Sequence, residues 1–221
     1  MALTTTVAVR TWTGTFVTAP ATKTTTKSGI AESALPVGAE LVERPPDNLP
    51  KTVSEVEGCA GCPMQRLFPE NNFVSPFLVK GDRLCVAEAP GQTESERGEP
   101  LVGTSGSWLF GKEDENGRRS GGLYKAAGVD TSTVSKCNVI NCQPPHNVFP
   151  TDSDAKAYIS KEEGEAAVRQ CLHNHVKPIL ESREWKRLDL LGEKSLRYLA
   201  GVEGGILKFR GSVVEVDTDK L

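Results

Sequence analysis

Along this chain, short apolar runs closed by glycine or proline alternate with stretches of helical period. Arg83–Ala87 predicts a first strand and Val134–Asn141 a second, stopped by Pro144 and Pro145. Leu188–Leu191 predicts a third strand and Gly211–Val216 a fourth. Between them, Ser105–Lys112 starts a helix that Glu113–Gly122 interrupts as an exposed, charged insertion. Leu123–Ala127 resumes a helix, and Gly128 ends it. Thr151 or Asp152 caps a helical region running to about Leu180, with Gly164 as its expected break. A last helix starts at Gly192, runs through Leu199 and closes at Gly201. Strands alternating with helices predict an α/β fold whose parallel sheet is covered on both faces. No internal repeat is visible.

The segment before this pattern is different. Residues 1 to about 27 are Thr-rich and free of acids, and the stretch from Ser28 to Thr52 carries Pro36, Pro45, Pro46 and Pro50. The expectation is a flexible leader and extended linker over 1–52, with the compact domain at 53–221. Alternation in Val7–Val17 would suit a short hairpin, but the composition fits a leader better. At 221 residues the chain can bury a real core, and a net charge of −3 argues against a broadly basic nucleic-acid coat. No apolar stretch approaches a membrane span, and the N-terminus lacks a signal peptide's apolar core. Six cysteines without a secretory signal point to reduced thiols and metal, hence to an intracellular protein, cytoplasmic or nucleoid-associated.

The chain is organised around Val86–Gly106, VAEAPGQTESERGEPLVGTSG. A strand that ends in a glycine-rich loop and feeds a helix is where open α/β sheets bind ligands. Gly91, Gly98, Gly103 and Gly106 let backbone N–H groups approach a ligand, and Glu88 and Glu94 set carboxylates beside them.

Cys59 and Cys62 have knuckle spacing, Cys142 follows the second strand, and Cys171 lies on the long helix. Together they make an all-cysteine site. A zinc ribbon prefers two knuckles, whereas one knuckle with two lone cysteines suits an iron–sulfur cluster better; zinc stays open as the alternative. Cys85 and Cys137 sit within apolar strands, where cysteine behaves as a small hydrophobe.

From Cys59 to about Gly211 the chain resembles the iron–sulfur uracil-DNA glycosylases, family 4 and its neighbours. AEAPGQTESERGEPLVGTSG is similar to that family's first motif, a Gly-Glu-Ala-Pro-Gly followed by Glu-Asp and Pro-Phe-Val-Gly. CNVINCQPPHNVFP resembles its Thr-Asn-Val-Val-Lys-Cys-Arg-Pro-Pro segment, LDLLGEKSLRYLAG its late strand–Gly–helix, and LKFRG the Arg-Gly that follows. The resemblance implies a three-layer α/β/α sandwich on a four-stranded, mostly parallel sheet. It further implies a structural 4Fe–4S cluster on Cys59, Cys62, Cys142 and Cys171, and removal of uracil from DNA in base-excision repair. Carried over by position, Glu88 and Glu94 are the catalytic carboxylates, with Glu88 and Ala89 at the pocket floor. Pro90 and Gly91 are carried over as base-binding positions of the first motif, whose backbone N–H groups would hold the uracil anion; Leu101 takes the place of the stacking phenylalanine, and Asn138 that of the asparagine on the uracil edge. Such an amide can donate to O4 and accept from N3–H, which selects uracil over cytosine. A monomer acting on uracil-containing DNA, with no membrane partner, is expected, fused to or associated with replication or repair proteins.

The sequence also departs from the family. Leu101 replaces Phe, Ser95 replaces Asp, Asn141 and Gln143 replace Lys and Arg, and the Glu113–Gly122 insertion has no counterpart. The family's His-Pro-Ser motif is absent before Leu221, and His146, His173 and His175, the three histidines, lie in other contexts. His173 and His175 are expected on a helix surface. The chain as given is therefore expected to bind DNA weakly and excise uracil slowly or not at all. The alternative is a catalytically weak, glycosylase-fold DNA-binding module of a larger replication or repair protein.

Overall fold

Leu84, Cys85 and Val86 are fully buried, as an apolar run must be when both faces of its strand are covered. The computed structural model describes the backbone of residues 5–8 and, in full, residues 51–203, 205–209, 211–216, 218 and 221. In chain order the elements are β1 (Thr5–Ala8), α1 (Pro63–Leu67), β2 (Arg83–Ala87), α2 (Gln92–Arg97), α3 (Thr104–Phe110), β3 (Lys112–Glu113), β4 (Arg119–Ser120) and α4 (Leu123–Ala126). They continue as β5 (Val134–Asn138), α5 (Lys161–Cys171), α6 (Lys177–Glu181), β6 (Arg187–Leu190), α7 (Glu193–Ala200) and β7 (Val213–Val216). A π-helical turn, Leu172–Val176, joins α5 to α6.

The central sheet has the order β5–β2–β6, all parallel, with Ala87 beside Asn138 and Val86 beside Leu190 in register. This register brings the carboxyl ends of three strands to one edge. The core runs from Leu84, Val86 and Leu190 to Val168, Val176, Leu196 and Leu199 on the covering helices. On the other side, buried Cys85 packs with Phe110 and Tyr124. Lys136 is also buried there, with Nζ 3.3 Å from a Glu99 carboxylate oxygen and above the rings of Phe77 and Phe110. That pair ties the loop after α2 to the sheet. No helix among the described residues is long and apolar enough to cross a membrane.

Three expectations are corrected. The expected fourth strand forms as Val213–Val216, but it pairs antiparallel with Thr5–Ala8 in a separate two-stranded sheet. Among the described residues the parallel sheet therefore has three strands, not four. Thr5–Ala8 falls within the segment expected to be a flexible leader; its Thr and Val residues favour extended pairing, and β7 offers a free edge. The rest of the leader and most of the linker lie outside the described residues. Gly164 does not break the long helix: it lies inside α5, where a Cβ would come 2.1 Å from the Pro150 carbonyl oxygen. The break comes earlier, where Asp152 precedes a 3-10 turn, Ser153–Ala157, and Ser160 opens α5 with a reciprocal Ser160–Glu163 cap. The Glu113–Gly122 insertion is an exposed β3–β4 hairpin, as its charge predicts.

Candidate active site and four-cysteine site

Where β2 ends, the chain turns through Glu88–Gly91 into α2, and a cavity of about 550 Å³ opens at the carboxyl edge of the sheet. The structure brings Glu88, Ala89, Pro90, Gly91, Glu94, Leu101 and Asn138 together around this one cavity. Asn138, beside Ala87 in register, and Glu88, the residue after β2, both line this cavity.

Each carboxylate is held by backbone. Glu88 Oε1 accepts from Lys194 N at 3.0 Å, which places its charge at the N-terminus of α7. A Cβ at Gly192, where φ is +90°, would sit 2.2 Å from that same oxygen, so glycine is required there. Glu94 is 9% exposed, and its Oε1 accepts from Gly103 N at 2.7 Å. Its Oε2 would lie 3.0 Å from a Cβ on Gly91. Glu94 thus clamps the two glycine loops around the cavity.

Leu101 is buried with φ at +58°, a left-handed conformation that costs a non-glycine residue roughly 1–2 kcal/mol. Its carbonyl lies directly over Gly106, where a Cβ would come 1.8 Å from the oxygen. Gly106→Ala is therefore expected to destabilise the fold by about 1–3 kcal/mol or more. A thermal melt beside the native chain checks it; an unchanged midpoint would show that the Leu101 loop yields freely.

Asn138 is 1% exposed, and its Nδ2 has no hydrogen-bond partner within the protein. A buried amide donor left unpaired costs about 1–3 kcal/mol. Here it lines a cavity that can hold an acceptor.

Sequence reasoning missed Asn147, Phe149 and Asp152, which line the opposite wall. Asp152 pairs with Lys194 Nζ, which lies 5.6 Å from the centre of the Phe149 ring. His146 and Asn147 both have φ of 56°, and this turn swings the segment after Pro144–Pro145 over the cavity. The doubled proline followed by Asn was the available signal.

The second site lies at the N-terminus of α1, where Cys62 caps the helix. Cys59, Cys62, Cys142 and Cys171 line one small, apolar cavity with Phe73, Ile140 and His175. The knuckle closes through Cys62 N donating to Cys59 O at 3.0 Å, and Gly61 adopts a φ of +77° there. Helix α5 and the π-turn hold the knuckle from above, Gln170 Nε2 donating to Ala60 O and Asn174 Nδ2 to Gly58 O. Burial and the neighbouring Cys62 push the Cys59 thiol up to about 11. Burial, with Cys62 and Cys59, pushes Cys142 up to about 12, and burial with the neighbouring Cys142 pushes Cys171 well up. Thiols gathered on one cavity suit a bound cation, which deprotonates its ligands. Among the described residues, no three His, Cys, Asp or Glu side chains gather round a single ion position.

His175 is a correction. Expected on a helix surface, it is half-buried and lines the cysteine cavity, whereas His173 is exposed. The reason is local: Pro178 has no N–H for the Asn174 carbonyl, and the preceding turn widens into the π-helix that carries His175 inward. Burial pushes its imidazole below the ordinary histidine range.

A glycine-rich strand-to-helix loop around a cavity at the carboxyl edge of a parallel sheet is where α/β proteins place their ligand sites. No family model matches the chain. It is 31% identical over 112 residues to a type-4 uracil-DNA glycosylase of Thermotoga maritima, covering 50% of this chain and 52% of that protein. With the type-4 uracil-DNA glycosylase of Pyrobaculum aerophilum it shares 29% over 157 residues, 70% of this chain and 67% of that one. With that of Sulfurisphaera tokodaii the figure is 29% over 111 residues, 50% and 46%. The chain is similar to several type-4 uracil-DNA glycosylases, and it spans about half the length of most of the curated relatives it matches.

Proposed function

We propose that this chain removes uracil from DNA by hydrolysing the N-glycosidic bond of a flipped nucleotide, as an intracellular repair enzyme. The observation that carries the reading is Asn138: a buried amide with an unpaired Nδ2 on a cavity able to hold a base. Flipping costs a few kcal/mol, offset when the base gains contacts in a closed pocket. Asn138 donates to uracil O4 and accepts from N3–H, and cytosine, with the reverse pattern, leaves both unmet. As the bond breaks, positive charge builds on the sugar and negative charge on the base. Glu94, held rigid by Gly103, stabilises the sugar cation or orients water, and backbone N–H groups at the Pro90–Gly91 turn face the base. Since Pro90 has no N–H, Gly91 and the first residues of α2 supply those donors. Glu88 fixes α7 against the pocket floor.

The proposal includes a 4Fe–4S cluster on Cys59, Cys62, Cys142 and Cys171, supported by their convergence on one cavity and by the pattern of a single knuckle with two lone cysteines. Its role is structural, as a cross-link between the knuckle, the end of β5 and α5. The proposed domain is 53–221, acting as a monomer on DNA.

The test is release of uracil from a single-uracil oligonucleotide, read by alkaline cleavage. The native chain is expected to excise slowly, and Glu94→Ala about 100-fold more slowly still, the low end for a positioned catalytic group. Excision that survives Glu94→Ala and Asn138→Ala alike would remove the site assignment. A native chain that neither excises uracil nor prefers uracil-containing DNA would overturn the function.

A further inference from the structure

We propose that His175 donates a hydrogen bond to the Cys59 sulfur and thereby sets the lifetime and the reduction potential of the bound cluster. The proposal rests on the cofactor reading above. His175 Nε2 lies 3.5 Å from Cys59 Sγ, within reach of an N–H···S bond. Its ring packs on Phe73, with centroids 4.8 Å apart, and it is half-buried between Phe73 and the knuckle. The chain makes room for it: a Cβ at Gly58 would come 2.5 Å from His175 Cε1, a position only glycine leaves open.

A second donor reaches the same set of sulfurs from the other side, Asn141 N to Cys171 Sγ at 3.3 Å. That one belongs to the backbone and follows from the path of the chain after β5. The imidazole is a side chain brought in by a π-turn, so it is the adjustable member of the pair. Hydrogen bonds to cluster sulfurs raise the potential, because they stabilise the more negative, reduced state, and they shield the thiolate from protonation and loss. His175 is therefore a positioning residue acting through Cys59, not a ligand.

The experiment uses the full chain loaded with iron and sulfide under anaerobic conditions. His175→Phe keeps an aromatic ring against Phe73 and removes the N–H; His175→Gln keeps a donor. A hydrogen bond to a charged acceptor is worth about 1.5–3 kcal/mol, so loss of iron to a ferrous chelator is expected to be roughly 10- to 100-fold faster in H175F. Its cluster potential falls below that of the native protein, and H175Q stays within about threefold of the native release rate. Native potential and native release in H175F would overturn the proposal and leave the ring as a space filler. If H175F does not load, Gly58→Ala takes its place, because its methyl displaces the ring from Cys59. Faster iron release in that variant then supports the hydrogen bond, and native release overturns it. A native chain that takes up no iron and sulfide overturns the cofactor reading itself, and this inference with it. That outcome is distinct from a loaded cluster indifferent to residue 175.

Discussion

Replacing Asn138 by Ala is expected to slow uracil excision about 100- to 1000-fold, the cost of removing one preorganised donor from a site where charge develops. The side chain is 1% exposed at the end of β5, so it cannot swing out to water, and no protein group takes its Nδ2 hydrogens. The strength of that bond is therefore available to a ligand. The effect should fall on the rate with bound substrate more than on DNA affinity, which depends on contacts outside the pocket. Asn138→Asp separates recognition from geometry. It keeps the shape but offers a carboxylate acceptor at neutral pH, matching cytosine's exocyclic amine and losing the donor to O4. Excision of uracil should drop in both variants, while any excision of cytosine should appear only in the Asp variant. Single-turnover release from matched uracil and cytosine oligonucleotides measures both. Equal rates in native and Asn138→Ala proteins would show that the amide satisfies itself inside the protein.

Much of this site is legible in the chain because its parts are local. A strand, a glycine-rich loop and a helix follow one another within Arg83–Phe110, so the elements and the residues at their junction come from one contiguous stretch. Asn138 is legible through the resemblance of CNVINCQPP to the family's segment rather than through its pattern, which runs the strand on to Asn141 where β5 ends at Asn138. What the sequence hides depends on contacts between distant segments. The pairing of Val213–Val216 with Thr5–Ala8 joins the two ends of the chain, and no local pattern encodes which edge a lone strand seeks. Gly164 reads as a breaker because glycine is a poor helix former, yet its lack of a Cβ is used against Pro150, outside its own helix.

The opposite wall of the cavity teaches the same point about chemistry. The exchange of the family's aromatic for Leu101 suggests a pocket without a ring, but Phe149 lines the cavity from the segment after β5. Its position depends on two consecutive left-handed residues, His146 and Asn147, a conformation that side-chain pattern alone does not announce. His175 escapes a sequence reading for a related reason: a regular α-helix would turn it elsewhere, and only the widened turn before Pro178 brings it to Cys59.

Cys142→Ser is expected to abolish the brown colour of the reconstituted protein and lower its unfolding midpoint by about 5–15 °C, a range that follows from the cross-link it removes. Cys142 packs with the groups around both knuckle cysteines, Met64 and Ile159 on one side and Val53 and Phe73 on the other. Apart from any bound group, the knuckle is held to the body by a few side-chain hydrogen bonds, from Gln170 and Asn174, and by the Arg66–Glu163 ion pair, which is largely exposed. Exposed contacts of that kind are worth about 0–1 kcal/mol each. A cluster joining Cys62 to Cys142 closes a long loop, and a cross-link of that span is worth ~2–4 kcal/mol. At ~2–4 °C per kcal/mol for a chain of this size, its loss gives the expected shift. The loss should also be local. Limited proteolysis is expected to cut near Ala60–Gly61 in the Ser variant while Arg83–Ala200, with the parallel sheet, survives. A colourless native protein that binds one zinc would replace the cluster by zinc and keep the stability argument. A Ser variant as stable and as protease-resistant as the loaded native chain would show that the knuckle needs no cross-link at all.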